Sequence, residues 1–125
     1  MLRACRRALR PGGRIAFYTI FIPGGLSEDA YQRAVLAGPR AVASPQEHQA
    51  MLRSAGLTEI DEVDVTEEFL RLSRHWMEAR QRHAAALRKS EGDAEFDRSQ
   101  TEKRAMVAAI ETGLLRRSLF IARRP

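Results

Sequence analysis

Apolar residues recur along this chain first at a helical period and then as unbroken runs. Leu2, Cys5 and Leu9 stand three and four apart with arginines on the remaining faces, which predicts an amphipathic helix over residues 1–10. Pro11-Gly12-Gly13 ends it in a tight turn. The next nine residues, RIAFYTIFI from Arg14 to Ile22, are β-branched, aromatic and nearly apolar, the pattern of a strand covered on both faces. Pro23-Gly24-Gly25 closes that strand, and a short helix is possible over Glu28–Leu36. Ser44-Pro45-Gln46-Glu47 has the spacing of a capping box with proline at the first helical position, predicting a helix that runs to about Ala55 and stops at Gly56.

Leu57 to Val65 reads as a more exposed strand, with Ile60, Val63 and Val65 set among acids. Thr66 then caps a long helix whose stripe is Phe69, Leu72, Trp76, Arg80, His83 and Leu87. Glu91-Gly92-Asp93 breaks it. A second helix near Ala94–Thr112 buries Met106, Val107 and Ile110 and ends at Gly113, and Leu115 to Arg123 forms a last strand. The connection between the first two strands is long enough to make them parallel. The pattern alone leaves the direction of the last strand open.

Composition narrows the class. With 125 residues, 44% of them hydrophobic, the chain has enough material for one modest core. No apolar run approaches the roughly 20 residues that cross a bilayer, and the arginine-studded start is not a secretory signal. The single cysteine, Cys5, excludes an internal disulfide and a cysteine-cluster metal site, and a cytoplasmic location is expected.

The formal charge of +5 invites a nucleic-acid partner, but its distribution does not favour one. Both ends of the chain are arginine-rich and free of acids, whereas all sixteen acids lie between Glu28 and Glu111. Nineteen of the 21 basic residues are arginine, a bias that abundant alanine suggests is of coding origin rather than a ligand signature.

Taken in order, several segments resemble the downstream half of the class I S-adenosylmethionine-dependent methyltransferase domain, of the small-molecule, type-11-like kind. Leu9-Arg10-Pro11-Gly12-Gly13-Arg14 with its strand is similar to that family's junction into the fifth strand. The segment SPQEHQAMLRSAGL, Ser44 to Leu57, is similar to its next helix and the entry to the sixth strand. Asp64-Val65-Thr66, Phe69 and Trp76 resemble the opening of its substrate-side helices, and Leu114 to Pro125 resembles its closing strand.

The resemblance implies an α/β fold, the C-terminal part of a Rossmann-like sheet. Its two parallel strands would have one antiparallel strand between them, with about four helices. It divides residues 1–125, a single partial domain, into a helix-strand-helix-strand core (1–65), substrate-side helices (66–113) and a closing strand (114–125). Methyl transfer to a small organic molecule is the implied activity, with S-adenosylmethionine as cofactor.

The family's cofactor rests on a glycine-rich turn between a strand and a helix. Gly12-Gly13 and Gly24-Gly25 instead flank one strand, so no cofactor-binding residue is assigned in this chain. A missing N-terminal half is therefore the expected partner, pairing along the Arg14–Ile22 edge. Self-pairing of that edge into a homodimer, or a non-enzymatic interaction module, is the alternative.

The candidates that remain are groups able to shape a substrate pocket beyond the carboxyl ends of the parallel strands. They are Thr19 and Phe21 at the end of the first strand, and Phe69, His75 and Trp76 on the long helix. Each also has a plain structural role: Phe21 and Tyr18 as core on opposite faces, Trp76 as stripe, His75 as a surface histidine. His75 is the candidate proton acceptor, and His48 and His83, inside helices, rank below it. No catalytic residue and no metal site is assigned.

Overall fold

A computed structural model describes residues 1–40, 42 and 47–125. The elements run α1 (Leu2–Ala8), β1 (Arg14–Phe21), α2 (Glu28–Ala37), α3 (His48–Ser54), β2 (Thr58–Asp64), α4 (Thr66–Arg82), α5 (Ala84–Glu91), α6 (Asp93–Glu111) and β3 (Arg116–Arg123). The three strands form one sheet in the order β1-β3-β2, and β3 is antiparallel to both neighbours. β1 and β2 are consequently parallel, with the closing strand between them. Arg14 stands opposite Arg123, and Phe21 opposite Arg116.

The two sheet faces are covered unequally. On one, Phe120 and Ala122 of β3 meet Leu52 of α3 and Leu57, with Leu2, Leu9, Ile15 and Phe17 packed around them. This buries the helix periodicity of α1 and α3 against the strand periodicity of β3, whose alternate residues Ser118, Phe120 and Ala122 are all buried. On the other face, a second cluster of Val42, Phe69, Ala109, Ile110 and Leu115 covers Ile20 and Ile22. It leaves open a row that crosses all three strands: Tyr18 faces Leu119, and Leu119 faces Val63. Tyr18 is 56% exposed and Val63 47%.

The base of the sheet is tied by the chain's arginines. The backbone of Arg124 exchanges hydrogen bonds with Gly12 and Gly13. Its guanidinium donates to the carbonyls of Arg6, Arg7 and Leu9, where the end of α1 leaves acceptors unpaired. Gly56, at φ +80, ends α3 in the left-handed region, and its carbonyl accepts from Arg6 Nε at 3.0 Å.

Several expectations are corrected. There are six helices among the described residues rather than about four. Ser27 makes α2 a true helix, its hydroxyl accepting from the Ala30 amide. The long stripe divides at His83, whose φ of −101° and ψ of 21° leave the helical region. The break lets α5 fold back so that Arg80 reaches Glu91 and Arg88 lies 4.4 Å over the Phe96 ring.

Thr66 is the first residue of α4, not its cap. The Asp64 carboxylate accepts from the Thr66 amide at 2.9 Å, and this bonding with Thr66 holds the Asp64 carboxyl below the usual carboxylate range. Ser44, Pro45 and Gln46 of the expected capping box lie outside the described residues. Glu47 is extended rather than helical, and α3 begins at His48.

β1 is not covered on both faces; none of its residues is buried, because β3 pairs with one edge and the Tyr18 face is open. On α4 the buried residues are Phe69 and Ser73, while Leu72 and Trp76 of the stripe are exposed. The packing seam against α6 is thus set one position away from the apolar spacing.

Candidate substrate-side site

Where β1 ends, the chain leaves the sheet and α3 begins, and a cleft of ≈ 470 Å³ opens between them. Phe21, Tyr31, Glu47, His48, Gln49 and Glu62 are among its walls. A concave space at the carboxyl edge of parallel strands is the ordinary place for a ligand in an open α/β sheet.

His48 owes its place to being the first residue of α3. Its ring stacks on Phe120 (5.4 Å between centroids, 29° between planes) and tilts against Phe21 at 5.7 Å. Its Nε2 lies 3.4 Å from Thr19 Oγ1. Burial pulls the imidazole pKa below its ordinary value, with the Glu62 charge opposing. A neutral ring with one acceptor nitrogen is what a proton-accepting role requires.

Glu62 is held from two sides: Ser118 Oγ, a buried donor, bonds it at 2.9 Å, and Gln49 Nε2 at 3.0 Å. The carboxylate is therefore fixed beside the cleft without a cation neutralising it. Arg116, further along the same edge, is paired with Asp64 instead.

The depressed His48 pKa has a measurable sign. The unfolded chain takes up a proton near pH 6.5 that the folded chain resists, so this contribution is fully present above that pH. It is lost as pH falls from there through the folded pKa. Urea midpoints measured from pH 7.5 to 5 are expected to fall in the parent, and the decline to be shallower in His48→Gln. Parallel slopes for the two proteins would remove His48 as the cause.

The five residues singled out by sequence do not converge. Thr19 and Phe21 meet His48 at the cleft. Phe69 lies under α4 in the opposite cluster. His75 is exposed on α4, and Trp76 is 47% exposed between Arg80 (5.4 Å) and Lys103 (4.4 Å). Neither lines the cleft. Sequence reasoning ranked His48 below His75 and passed over Glu62. The signal was available for His48, since the helix that leads into a parallel β2 must start at the sheet's carboxyl edge.

No metal site emerges from the described residues. They contain no group of three or more His, Cys, Asp or Glu side chains able to hold a metal ion. Gly24 and Gly25 follow β1 in open space, and Gly25, at φ +82, takes the left-handed conformation that favours glycine. The first turn of α2 behind them carries Glu28 and Asp29, which disfavour a carboxylate-bearing ligand such as S-adenosylmethionine. That helix end therefore offers the cofactor's carboxylate no favourable charge. Among the described residues no helix is long and apolar enough to cross a membrane.

Comparison with known proteins bears on the origin of this arrangement. No family model matches the chain. It is 44% identical over 71 residues to the 27-O-demethylrifamycin SV methyltransferase of Amycolatopsis mediterranei, a match that takes in 54% of this chain and 26% of that protein. The chain thus spans about a quarter of that relative's length.

Among solved structures, it superposes on the Haemonchus contortus phosphoethanolamine N-methyltransferase 2 in complex with S-adenosyl-L-methionine with a TM-score of 0.81. That superposition has 17% identity and covers 99% of this chain and 29% of the other. A putative sarcosine dimethylglycine methyltransferase from Galdieria sulphuraria gives a TM-score of 0.84 at 11% identity, covering 98% of this chain and 46% of that one. Nearly all of this chain is accounted for each time, and less than half of its counterpart. With β3 antiparallel between β1 and β2, this chain has the fold of the C-terminal part of a class I S-adenosylmethionine-dependent methyltransferase domain.

Proposed function

We propose that the chain is the substrate-side portion of a methyltransferase acting on a small organic molecule in the cytoplasm, and that methyl transfer requires cofactor-binding strands alongside β1. The observation that carries this reading is the unequal covering of the sheet. Among the described residues β1 is paired on one edge only, and the Tyr18–Leu119–Val63 row is apolar and open, as expected of a sheet continued by further strands and helices.

Methyl transfer from a sulfonium depends mainly on aligning nucleophile and methyl group. The cofactor, held elsewhere, supplies that methyl group. In this chain Phe21 and Phe120 flank the cleft's histidine, and neutral His48, 3.4 Å from Thr19, is placed to accept a proton from a substrate hydroxyl or ammonium. The helices α4–α6 set which substrates reach the edge.

The test joins this chain to the cofactor-binding portion of the rifamycin methyltransferase it matches. Calorimetry is expected to show micromolar S-adenosylmethionine binding by the chimera and no heat with the 125-residue chain alone. Micromolar binding by the chain alone would overturn the account of the cofactor site. A folded chimera that binds nothing would overturn the functional reading.

The exposed β1 edge also supports a second reading, a non-enzymatic module in which two copies pair through Arg14–Ile22. A dimer of the isolated chain in sedimentation that persists in the chimera would favour it.

A further inference from the structure

Six arginines are half-buried among the described residues, and five of them are satisfied. Arg80, Arg88 and Arg123 bond carboxylates, and Arg6 and Arg124 bond backbone carbonyls. The sixth, Arg117, has a guanidinium with no hydrogen bond and no ion pair among the described residues. Only its backbone is engaged, by Thr66 and by the Val65 amide.

The side chain is nevertheless held. Its guanidinium carbon lies 4.5 Å from the centroid of the Tyr18 ring and 5.5 Å from that of Phe69. Stacking on rings fixes the plane of the fork while leaving its N–H edges free. No buried side-chain nitrogen or oxygen among the described residues lacks a partner, so those edges reach solvent.

The position matters as much as the vacancy of the fork. Arg117 is opposite Ile20, near the carboxyl end of β1, and one of its two rings belongs to α4. A preoriented cation stacked on the exposed Tyr18 ring, near the carboxyl end of β1 on the face opposite the His48 cleft, fits a planar anion with a flat apolar body.

We propose that Arg117 is a substrate anchor for an aromatic carboxylate, received bidentately by the guanidinium and lying against the exposed Tyr18 ring. The assignment rests on reading this edge as the substrate side, and it adds a substrate class to that reading.

The probe is benzoate, titrated into the 125-residue chain and followed by ligand-observed NMR. Millimolar binding is expected, with benzamide, the uncharged analogue of the same shape, about tenfold weaker. Arg117→Gln is expected to lose about tenfold for benzoate and little for benzamide. Arg14→Gln, at the opposite end of β1, keeps the parent affinity. No binding by the parent, equal binding by Arg117→Gln, or the same loss in Arg14→Gln would overturn the proposal.

The benzoate–benzamide contrast in the parent needs no variant, so a misfolded Arg117→Gln leaves the test intact. Benzoate binding that disappears in the chimera would assign the arginine to the neighbouring half instead, and would also overturn the proposal. Because binding is read without cofactor, benzoate bound by the chain alongside an inactive chimera would sink only the methyltransferase reading. An active chimera with an indifferent Arg117 would sink only the anchor.

Discussion

Phe120→Ala is expected to lower the unfolding free energy by about 3–5 kcal/mol, a large part of what a domain of this size has. Phe120 is 2% exposed at the centre of the middle strand. Its ring stacks on Phe17 at 5.7 Å and on His48 at 5.4 Å, and it packs with Leu52 and Leu57. Truncation removes the transfer term and leaves a void that α3 and both neighbouring strands would have to collapse into together. Urea denaturation at pH 7.5 measures the loss, and Phe120→Leu should recover most of it. A cost below about 1 kcal/mol would mean that the face under α3 is not the principal core.

A substitution on the opposite face has its effect elsewhere. Val63→Lys is expected to change the stability of the isolated chain by no more than about 0.5 kcal/mol, since Val63 is already half exposed. In the chimera with a cofactor-binding portion, the same lysine would be driven under helices with no acid provided for it. Burying an unpaired charge costs several kcal/mol, so S-adenosylmethionine binding and methyl transfer should fall by at least about a hundredfold. Melting curves of the isolated variant and calorimetry of the chimera separate the two effects. A chimera unaffected by Val63→Lys would show that nothing covers this face, and the proposed completion of the sheet would fail.

What could be read without coordinates was whatever local pattern encodes. The run from Arg14, the Pro11-Gly12-Gly13 turn and the stop at Gly56 follow from side-chain period and backbone freedom, and all three stand. The antiparallel placement of β3 came from resemblance, because strand direction leaves no mark in residue type.

What failed depends on contacts between distant segments. Nothing about the residues around His83 forbids a continuous helix; the break is stabilised by Arg80 reaching Glu91 and Arg88 covering Phe96. The apolar character of β1 pointed to cover on both faces, but among the described residues its Tyr18 face is open, so burial was overestimated. His48 looked like any helix-interior histidine until α3 was shortened to begin with it. Arg117 was invisible among nineteen arginines, because what distinguishes it is the acceptor it lacks.

The order of the strands in space differs from their order in the chain, and this bears on how the protein is made. Among the described residues β3 is the only strand that either β1 or β2 pairs with, and it is synthesised after both. At typical translation rates the roughly one hundred residues between β1 and β3 take about 5–20 s to synthesise. Throughout that interval the edge of β1 that β3 will occupy is open to other nascent chains. Helices α4 to α6 can form locally in the meantime, but the sheet must close late over a long loop, a slow step. Chaperone dependence during expression, more than the stability of the finished fold, would then limit the yield of this chain.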